Sequence, residues 1–455
     1  MKVSKEIFRQ YDIRGIAGQD VTEETAYLIG KAFGTYIQDK AGKKVAVGRD
    51  VRLTSVSFRN SLVEGLISTG CEVTDVGVVP TPVLYFSIHH FNSDGGVMVT
   101  ASHNPKEYNG FKICVGLFSI YGEEIQKIYR MIEEGSFQEG KGSVAEADPR
   151  AAYIEEVTSK VNVDKNLKIA ADFGNGTAGE VATSLFRKLG VELLPLYTEP
   201  DGRFPNHLPD PTIPEYMKDL SELVKKEKAL LGIGFDGDGD RIGVVDEKGE
   251  IIWGDKLLGI FSRKVLKNLP GATIIMDVKC SQGVAEYIEK LGGKPLIWKT
   301  GHSLIKEKMR ETGAPLAGEM SGHMFFKDNY LGYDDAIFAA ARLLEIISEE
   351  HKPFSELINE IPAYYSTPEI RVDCPEKEKF RIVEDVKSYF SQKFPVIDVD
   401  GIRFITPKGW GLIRASNTQP ILVLRFEAKG KEELEELKQQ VKERFKKYPF
   451  LPLDW

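Results

Sequence analysis

The chain has 455 residues, 42% hydrophobic and 28% charged, which suits a globular protein of several domains at roughly 150 residues each. Its 68 acidic and 60 basic residues are interspersed, sum to −8 and form no basic stripe, which excludes nucleic acid as a partner. No apolar run approaches the ~20 residues of a membrane helix, so no membrane partner is expected.

The stretch from Met1 to Arg9 carries no signal-like apolar segment. Cys71, Cys114, Cys280 and Cys374 lie far apart and form no C-x-x-C pair, so a reducing, cytoplasmic location is expected. Three segments open alike, with a short apolar strand ending in polar residues: Val45–Asp50, Ile169–Gly174 and Ile274–Asp277. Each continues into a helix-like stretch and a second strand, the pattern of α/β units.

In the first unit, the apolar run Val97-Met98-Val99 reads as a buried strand. It delivers Thr100-Ala101-Ser102-His103-Asn104-Pro105, where Asn104 and Pro105 end the strand. Ser102 is placed either as a nucleophile or as a capping hydroxyl. The Gly/Glu/Ala-rich stretch 134–147 reads as a linker.

The second unit delivers Asp236, Asp238 and Asp240, alternating with glycines and followed by Arg241. Three converging carboxylates repel unless a cation sits among them, and hard oxygen ligands suit Mg²⁺, Ca²⁺ or Mn²⁺ rather than zinc. An EF-hand is rejected because Arg241 stands where its sharp turn needs glycine, and because the flanks read as strands. Three protein ligands leave positions for water or a phosphate oxygen, which favours Mg²⁺. The competing reading is a solvated acidic turn.

In the third unit, His302 follows the strand Pro295–Trp298. Glu319, Ser321 and His323 alternate in a glycine-bounded loop and would face one way, toward sugar hydroxyls, if that loop is extended. The last ~90 residues read as a smaller α+β domain, by the length scale of domains. It has strands at Ile370–Val372 and Ile421–Phe426, and a helix over 431–447 whose Leu434, Leu437, Val441 and Phe445 form a core stripe. Between these strands, Gly409–Pro420 reads as a loop in which Arg414, Ser416, Asn417 and Thr418 suit an anion cradle. Boundaries are expected near 150, 251 and 366, giving domains 1–150, 151–251, 252–365 and 366–455.

The combination and order of Thr100–Pro105, Asp236–Arg241, Gly318–His323 and Arg414–Pro420 resemble the α-D-phosphohexomutases. Phe8–Gly15, Gly48-Arg49-Asp50 and Tyr108–Lys112 extend the resemblance over essentially the whole chain. The sugar loop is most similar to that of the bifunctional phosphomannomutase/phosphoglucomutases; phosphoglucosamine mutases, the nearest alternative, carry Gln at the position of Met320. Gln419 and Asp210 depart from the usual Glu and Asn.

The resemblance implies three similar mixed α/β domains and the smaller α+β domain around a central active-site cleft. It implies a phosphoryl group on Ser102 and one Mg²⁺ held by Ser102, Asp236, Asp238 and Asp240. Hexose phosphates would be the substrates and a hexose 1,6-bisphosphate the intermediate and activator. Arg241 would act at the reacting end, with Tyr11, Arg14 and Lys279 as further contacts. Glu319 and Ser321 would hold ring hydroxyls, and Arg414, Ser416, Asn417 and Thr418 the non-reacting phosphate. Lys112, His302 and His323 are three candidates for the group that takes the proton, and His302 and His323 also for substrate contacts. A non-enzymatic sugar-phosphate or Ca²⁺-binding protein is the alternative of a different class. A serine hydrolase has no G-x-S-x-G around Ser102. The sequence fixes neither the preferred hexose nor the oligomeric state.

Overall fold

Among the described residues, four sheets, each from its own stretch of sequence, carry the polar loops at their strand ends. The computed structural model describes residues 3–416 and 420–455. Its contacts divide the chain into two compact units, Met1–Gly254 with Ser321–Glu356, and Asp255–Met320 with Leu357–Trp455.

In the first unit, one sheet holds β1 (Ile13–Ile16), β2 (Lys44–Arg49), β3 (Glu72–Val78), β4 (Gly95–Val99), β5 (Tyr108–Val115), β6 (Phe118–Ser119) and β7 (Ser143–Glu146). Its order is β1-β5-β4-β2-β3-β7, with β6 beside β5. β2, β3, β4 and β7 run parallel, while β5 is antiparallel to β4 and to β1. β4 is buried along its whole length, as its unbroken apolar run requires. The 134–147 stretch is more than a linker: residues 143–146 add β7 to the sheet edge, because backbone pairing with β3 needs no apolar side chains.

A second sheet has the order β12-β11-β10-β8-β9. It contains β8 (Lys168–Asp172), β9 (Glu192–Leu196), β10 (Leu231–Phe235), β11 (Ile242–Asp246) and β12 (Ile251–Ile252). β10 is parallel to β8 and forms an antiparallel hairpin with β11, so the aspartate loop lies between strands, as expected.

In the second unit, β13 (Thr273–Asp277) pairs in parallel with β14 (Lys294–Trp298) and β15 (Leu316–Gly318). The next strand along the chain, β16 (Met324–Phe326), belongs to the first unit. Ser321–Glu356 pack there because the helix Ala336–Glu350 is buried. Asp335 caps that helix and accepts from Tyr153, and Glu345 and Ser348 accept from the amides of Asn162 and Asp164.

The C-terminal sheet is antiparallel. It runs β17 (Tyr365–Ser366), β22 (Ile421–Ala428), β21 (Gly409–Ala415), β20 (Ile402–Thr406), β19 (Val396–Ile397), with β18 (Ile370–Asp373) also on β22. The helix Lys431–Phe445 lays Leu437, Val441 and Phe445 onto its core, with Leu434 at the margin. The expected loop from Gly409 is instead a central strand up to Ala415. Gly411 has no Cβ to meet the Phe404 ring, which would lie 2.5 Å away, so the glycine marks close packing and not a turn. No helix among the described residues is long and apolar enough to cross a membrane.

Candidate active site

Ser102 ends the β4 lead-in with φ of 49°, a left-handed conformation uncommon for a residue with a side chain. Its own amide donates to Thr100 Oγ1 at 2.8 Å. The conformation is held from behind by Arg52, which is 1% exposed. Arg52 donates to the carbonyls of Ser102 at 2.9 Å, Asn104 at 2.5 Å, Pro105 at 2.6 Å and Tyr108 at 2.9 Å. Asp50 in turn anchors Arg52 at 3.1 Å. Strain at one residue persists only where its surroundings over-determine it, and four carbonyls on one guanidinium do so.

The Ser102 Oγ donates to Asp236 Oδ2 at 2.6 Å and lies 3.0 Å from His103 Nδ1. Asp236, Asp238 and Asp240 are wholly buried. Asp236 shapes its own loop: Oδ1 accepts from the amides of Asp240 and Arg241, and Gly239 supplies φ of 72°. Gly237 packs on Ser102 so closely that a Cβ there would sit 2.5 Å from its carbonyl oxygen. Asp238 accepts from Thr81 Oγ1 and Lys112 Nζ, both at 2.7 Å, and Lys112 also donates to Asp240.

Burial and the neighbouring Asp240 and Asp238 charges push Asp236 well above the ordinary carboxylate range. Burial opposes charge on Lys112, but Asp238, Asp240 and Asp236 outweigh it and raise its pKa. Its nearest partners are carboxylates, which favour the ammonium form. Burial, with Arg241, Arg14, Lys112 and His323 around it, pushes His103 well below its ordinary value, so its ring is neutral.

The carboxylates fit a metal. One ligand oxygen from each of Asp236, Asp238 and Asp240 lies within 4.8 Å of the others. Asp238 Oδ1 and Asp240 Oδ1 are buried with no hydrogen-bond partner among the described residues, a costly state that a cation removes. An all-oxygen set suits a hard divalent ion.

Arg241 donates from Nε to His323 Nε2 at 3.0 Å. His323 Nδ1 faces Asp334 at 3.3 Å and Asp240 at 3.6 Å. Nε2 is thus the lone-pair nitrogen and Nδ1 carries the proton. Arg14 reaches Asn104 and Asp12, beside the serine loop, and Tyr11 is half-buried just before β1. The first unit therefore brings together Ser102, Lys112, Arg14, Arg241, His323 and the three aspartates.

The second unit gathers its own set. Glu319 accepts the Gly301 amide at 2.6 Å, next to His302, which opens the helix His302–Thr312. Asp400 pairs with Arg414 at 3.0 Å and accepts the Thr300 amide at 3.3 Å, tying that loop to the end of β21. Lys279 Nζ lies 3.5 Å from Glu369. Its turn is braced by Arg403, which donates to the carbonyls of Val278 and Cys280 at 2.9 and 2.8 Å and stacks on Trp410. The Ser416 carbonyl accepts from Lys379 at 2.6 Å. Asn417 and Thr418 lie outside the described residues.

The one-sided alternation expected of Glu319, Ser321 and His323 is not found. The chain turns at 320–321, and Gly322 takes φ of 93°, where a Cβ would strike the Ile242 carbonyl at 2.4 Å. Ser321 sits half-buried in that turn. Residues that the sequence did not single out are Arg52, Thr81, His103 and Asp334. Thr81 and Asp334 reach the carboxylates and His323 only through tertiary contact. His103 and Arg52 had local signals, as the neighbour of Ser102 and as the basic residue two places after Asp50.

Models of phosphoglucomutase/phosphomannomutase match four consecutive blocks. They are alpha/beta/alpha domain I over residues 5–139, domain II over 151–249, domain III over 253–365 and the C-terminal domain over 369–444. The chain belongs to the phosphoglucomutase/phosphomannomutase family. The phosphomannomutase/phosphoglucomutase of Pseudomonas aeruginosa is 49% identical over 433 residues, 95% of this chain and 94% of that protein. The phosphoglucomutase of Neisseria gonorrhoeae is 42% identical over 454 residues, 99% of this chain and 98% of that one. The crystal structure of a phosphoglucomutase/phosphomannomutase family protein from Burkholderia thailandensis matches with a TM-score of 0.93 and 43% identity, covering 98% of each chain. The family and the multidomain α/β architecture expected from the motifs are borne out, and the family is one of isomerases.

Proposed function

We propose that the protein interconverts the 1- and 6-phosphates of mannose and glucose through a phosphoryl group carried on Ser102. The observation that carries this reading is the Ser102 hydroxyl, held in a strained turn and aimed at Asp236 at 2.6 Å among three buried carboxylates.

In the forward half-reaction the phosphorus–Oγ bond of phosphorylated Ser102 breaks as a bond forms to O1 or O6 of a hexose monophosphate. The hexose 1,6-bisphosphate so formed returns its other phosphate to Ser102, leaving the positional isomer. Such transfer depends mainly on positioning and on charge neutralisation. Asp236, Asp238 and Asp240 would hold a divalent cation, Mg²⁺ in this reading, which would supply positive charge to offset that of the phosphoryl group. Arg241 and the Lys112 ammonium contribute further positive charge.

The proton of the attacking hydroxyl goes to His323 Nε2 in this reading, because the carboxylates facing Nδ1 keep the ring proton there and leave the lone pair on Nε2. That nitrogen must first release the Arg241 donor. His302 is the runner-up. Arg14, Tyr11, Lys279, Glu319, Ser321, Arg414, Ser416, Asn417 and Thr418 take the substrate-binding roles that the family resemblance gives them. The four segments 1–150, 151–251, 252–365 and 366–455 are the domains of this account.

Coupled assays with mannose 1-phosphate, glucose 1-phosphate and glucosamine 1-phosphate test it. Ser102→Ala is expected to lose nearly all turnover on the neutral sugars while still binding them, since uncatalysed phosphate-monoester chemistry is very slow. Near-normal turnover in that variant would remove Ser102 from the mechanism, and a preference for the amino sugar would reassign the substrate.

A further inference from the structure

A cavity of about 650 Å³ in the first unit lies outside the Ser102 site. Arg49, Arg59, Asp75, Glu146, Asp148 and Arg150 line it. Its floor is formed by the carboxyl ends of three parallel strands: Arg49 closes β2, Val78 closes β3 and Glu146 closes β7. Such strand ends are where open α/β sheets place ligands, and the volume is that of a small-molecule site.

Most of the charges on its walls are already paired. Arg59 holds Asp75 at 3.1 Å, and Arg150 holds Asp148 at 2.8 Å and Glu180 at 2.7 Å. Arg49 differs. Its guanidinium is half-buried, and its Nε is buried with no hydrogen-bond partner among the described residues. Arg59 Nε is in the same state. Burial and the like charge of Arg59 both weigh on Arg49 and lower its pKa. The carboxylates that attract Arg49 are bonded elsewhere, Asp75 to Arg59, and Asp50 to Arg52 and Ser55. Two repelling guanidiniums on one cavity wall are relieved by an anion, and the guanidinium fork matches phosphate in particular.

We propose that this cavity binds a small molecule carrying a phosphate group, with the phosphate held between Arg49 and Arg59. The cavity leaves room for a carrier beyond the phosphate itself. The site abuts the segment that supports the nucleophile, since Asp50, next in sequence, anchors the arginine that holds the Ser102 carbonyl.

Tungstate, a heavy analogue of phosphate, soaked into crystals of the full chain locates the anion. Calorimetric titration with inorganic phosphate counts it in solution. The expected result is tungstate density between Arg49 and Arg59, and one phosphate fewer bound per chain in Arg49→Met. Should that variant not fold, Arg49→Lys keeps the charge, loses the fork and is expected to weaken the site about tenfold. Glycerol 3-phosphate binding there more tightly than inorganic phosphate marks a carried phosphate, and equal affinity marks the free ion. An empty cavity in the wild type, or density that persists in Arg49→Met, would overturn the proposal. So would density without phosphate binding in solution, which is an adventitious ion only.

Discussion

Arg52 and Asp335 are buried ionisable residues: Arg52 braces the Ser102 loop through its carbonyls, and Asp335 caps the helix Ala336–Glu350. Arg52→Met leaves Asp50 buried without its partner and releases four carbonyls around Ser102. It is expected to cost about 3–5 kcal/mol of stability, read by urea unfolding, and to lower kcat more than it raises KM. Unchanged kcat in folded protein would contradict the bracing role. Asp335 is pushed up from 3.8 to about 6, chiefly by burial, and accepts from Tyr153 and Tyr330 at 2.9 Å. The native state thus holds its proton more tightly than the unfolded chain. The stability this brings is fully present below about pH 4 and is lost as pH rises through about 6, about 3 kcal/mol in all. Asp335→Asn keeps a helix cap and has no proton to lose, so its stability relative to wild type should rise by about that amount between about pH 3 and 7. Parallel stability curves for the two proteins would contradict the assignment. Ser102 and the aspartates were legible in the sequence because serine at a strand end and alternating carboxylates are local patterns. Thr81 and Asp334 were not, because they meet Asp238 and His323 only in the folded chain.

The loops depend on strands that fix where they start, and on glycines that let them touch. Gly237 is the contact between the aspartate loop and the serine loop, with Ser102's carbonyl oxygen 2.5 Å from where a Cβ would be. Gly237→Ala must push the two loops apart. It is expected to cost about 1–3 kcal/mol by overpacking and to weaken metal dependence and turnover together. A variant with wild-type stability and rate would show that the loops do not need this approach. The α/β elements were legible from short apolar runs, and β4, β8, β10 and β13 appear where those runs stand. The exceptions each have their own cause. In β21, Gly409 and Gly411 look like turn residues, yet Gly411 admits the rings of Phe404 and Phe426. In β7 the side chains are all exposed, so no apolar pattern announces a strand held by backbone pairing alone. Near 319–323 the alternation puts three side chains on one side only if the loop is extended, and Gly322's positive φ and its closeness to Ile242 turn the chain instead.

Across the whole chain, four family blocks follow one another, and each supplies one of the polar segments that the sequence singled out. The order of motifs made the family legible where no single motif did. Removal of divalent metal by a chelator should abolish mutase turnover, and Mg²⁺ should restore it. Mg²⁺ at a hundred times its dissociation constant should also stabilise the fold by about 2.7 kcal/mol, an effect that Asp238→Asn should remove. Full activity in chelator would contradict the metal assignment. The central claim is that Ser102 gives up a phosphoryl group and takes one back. Its most direct test is to label the protein with radioactive hexose 1,6-bisphosphate, map the labelled peptide and then add unlabelled hexose monophosphate. The account predicts label on Ser102 alone, chased into hexose phosphate and absent from Ser102→Ala. Label on another residue, or label on Ser102 that does not chase, would contradict it.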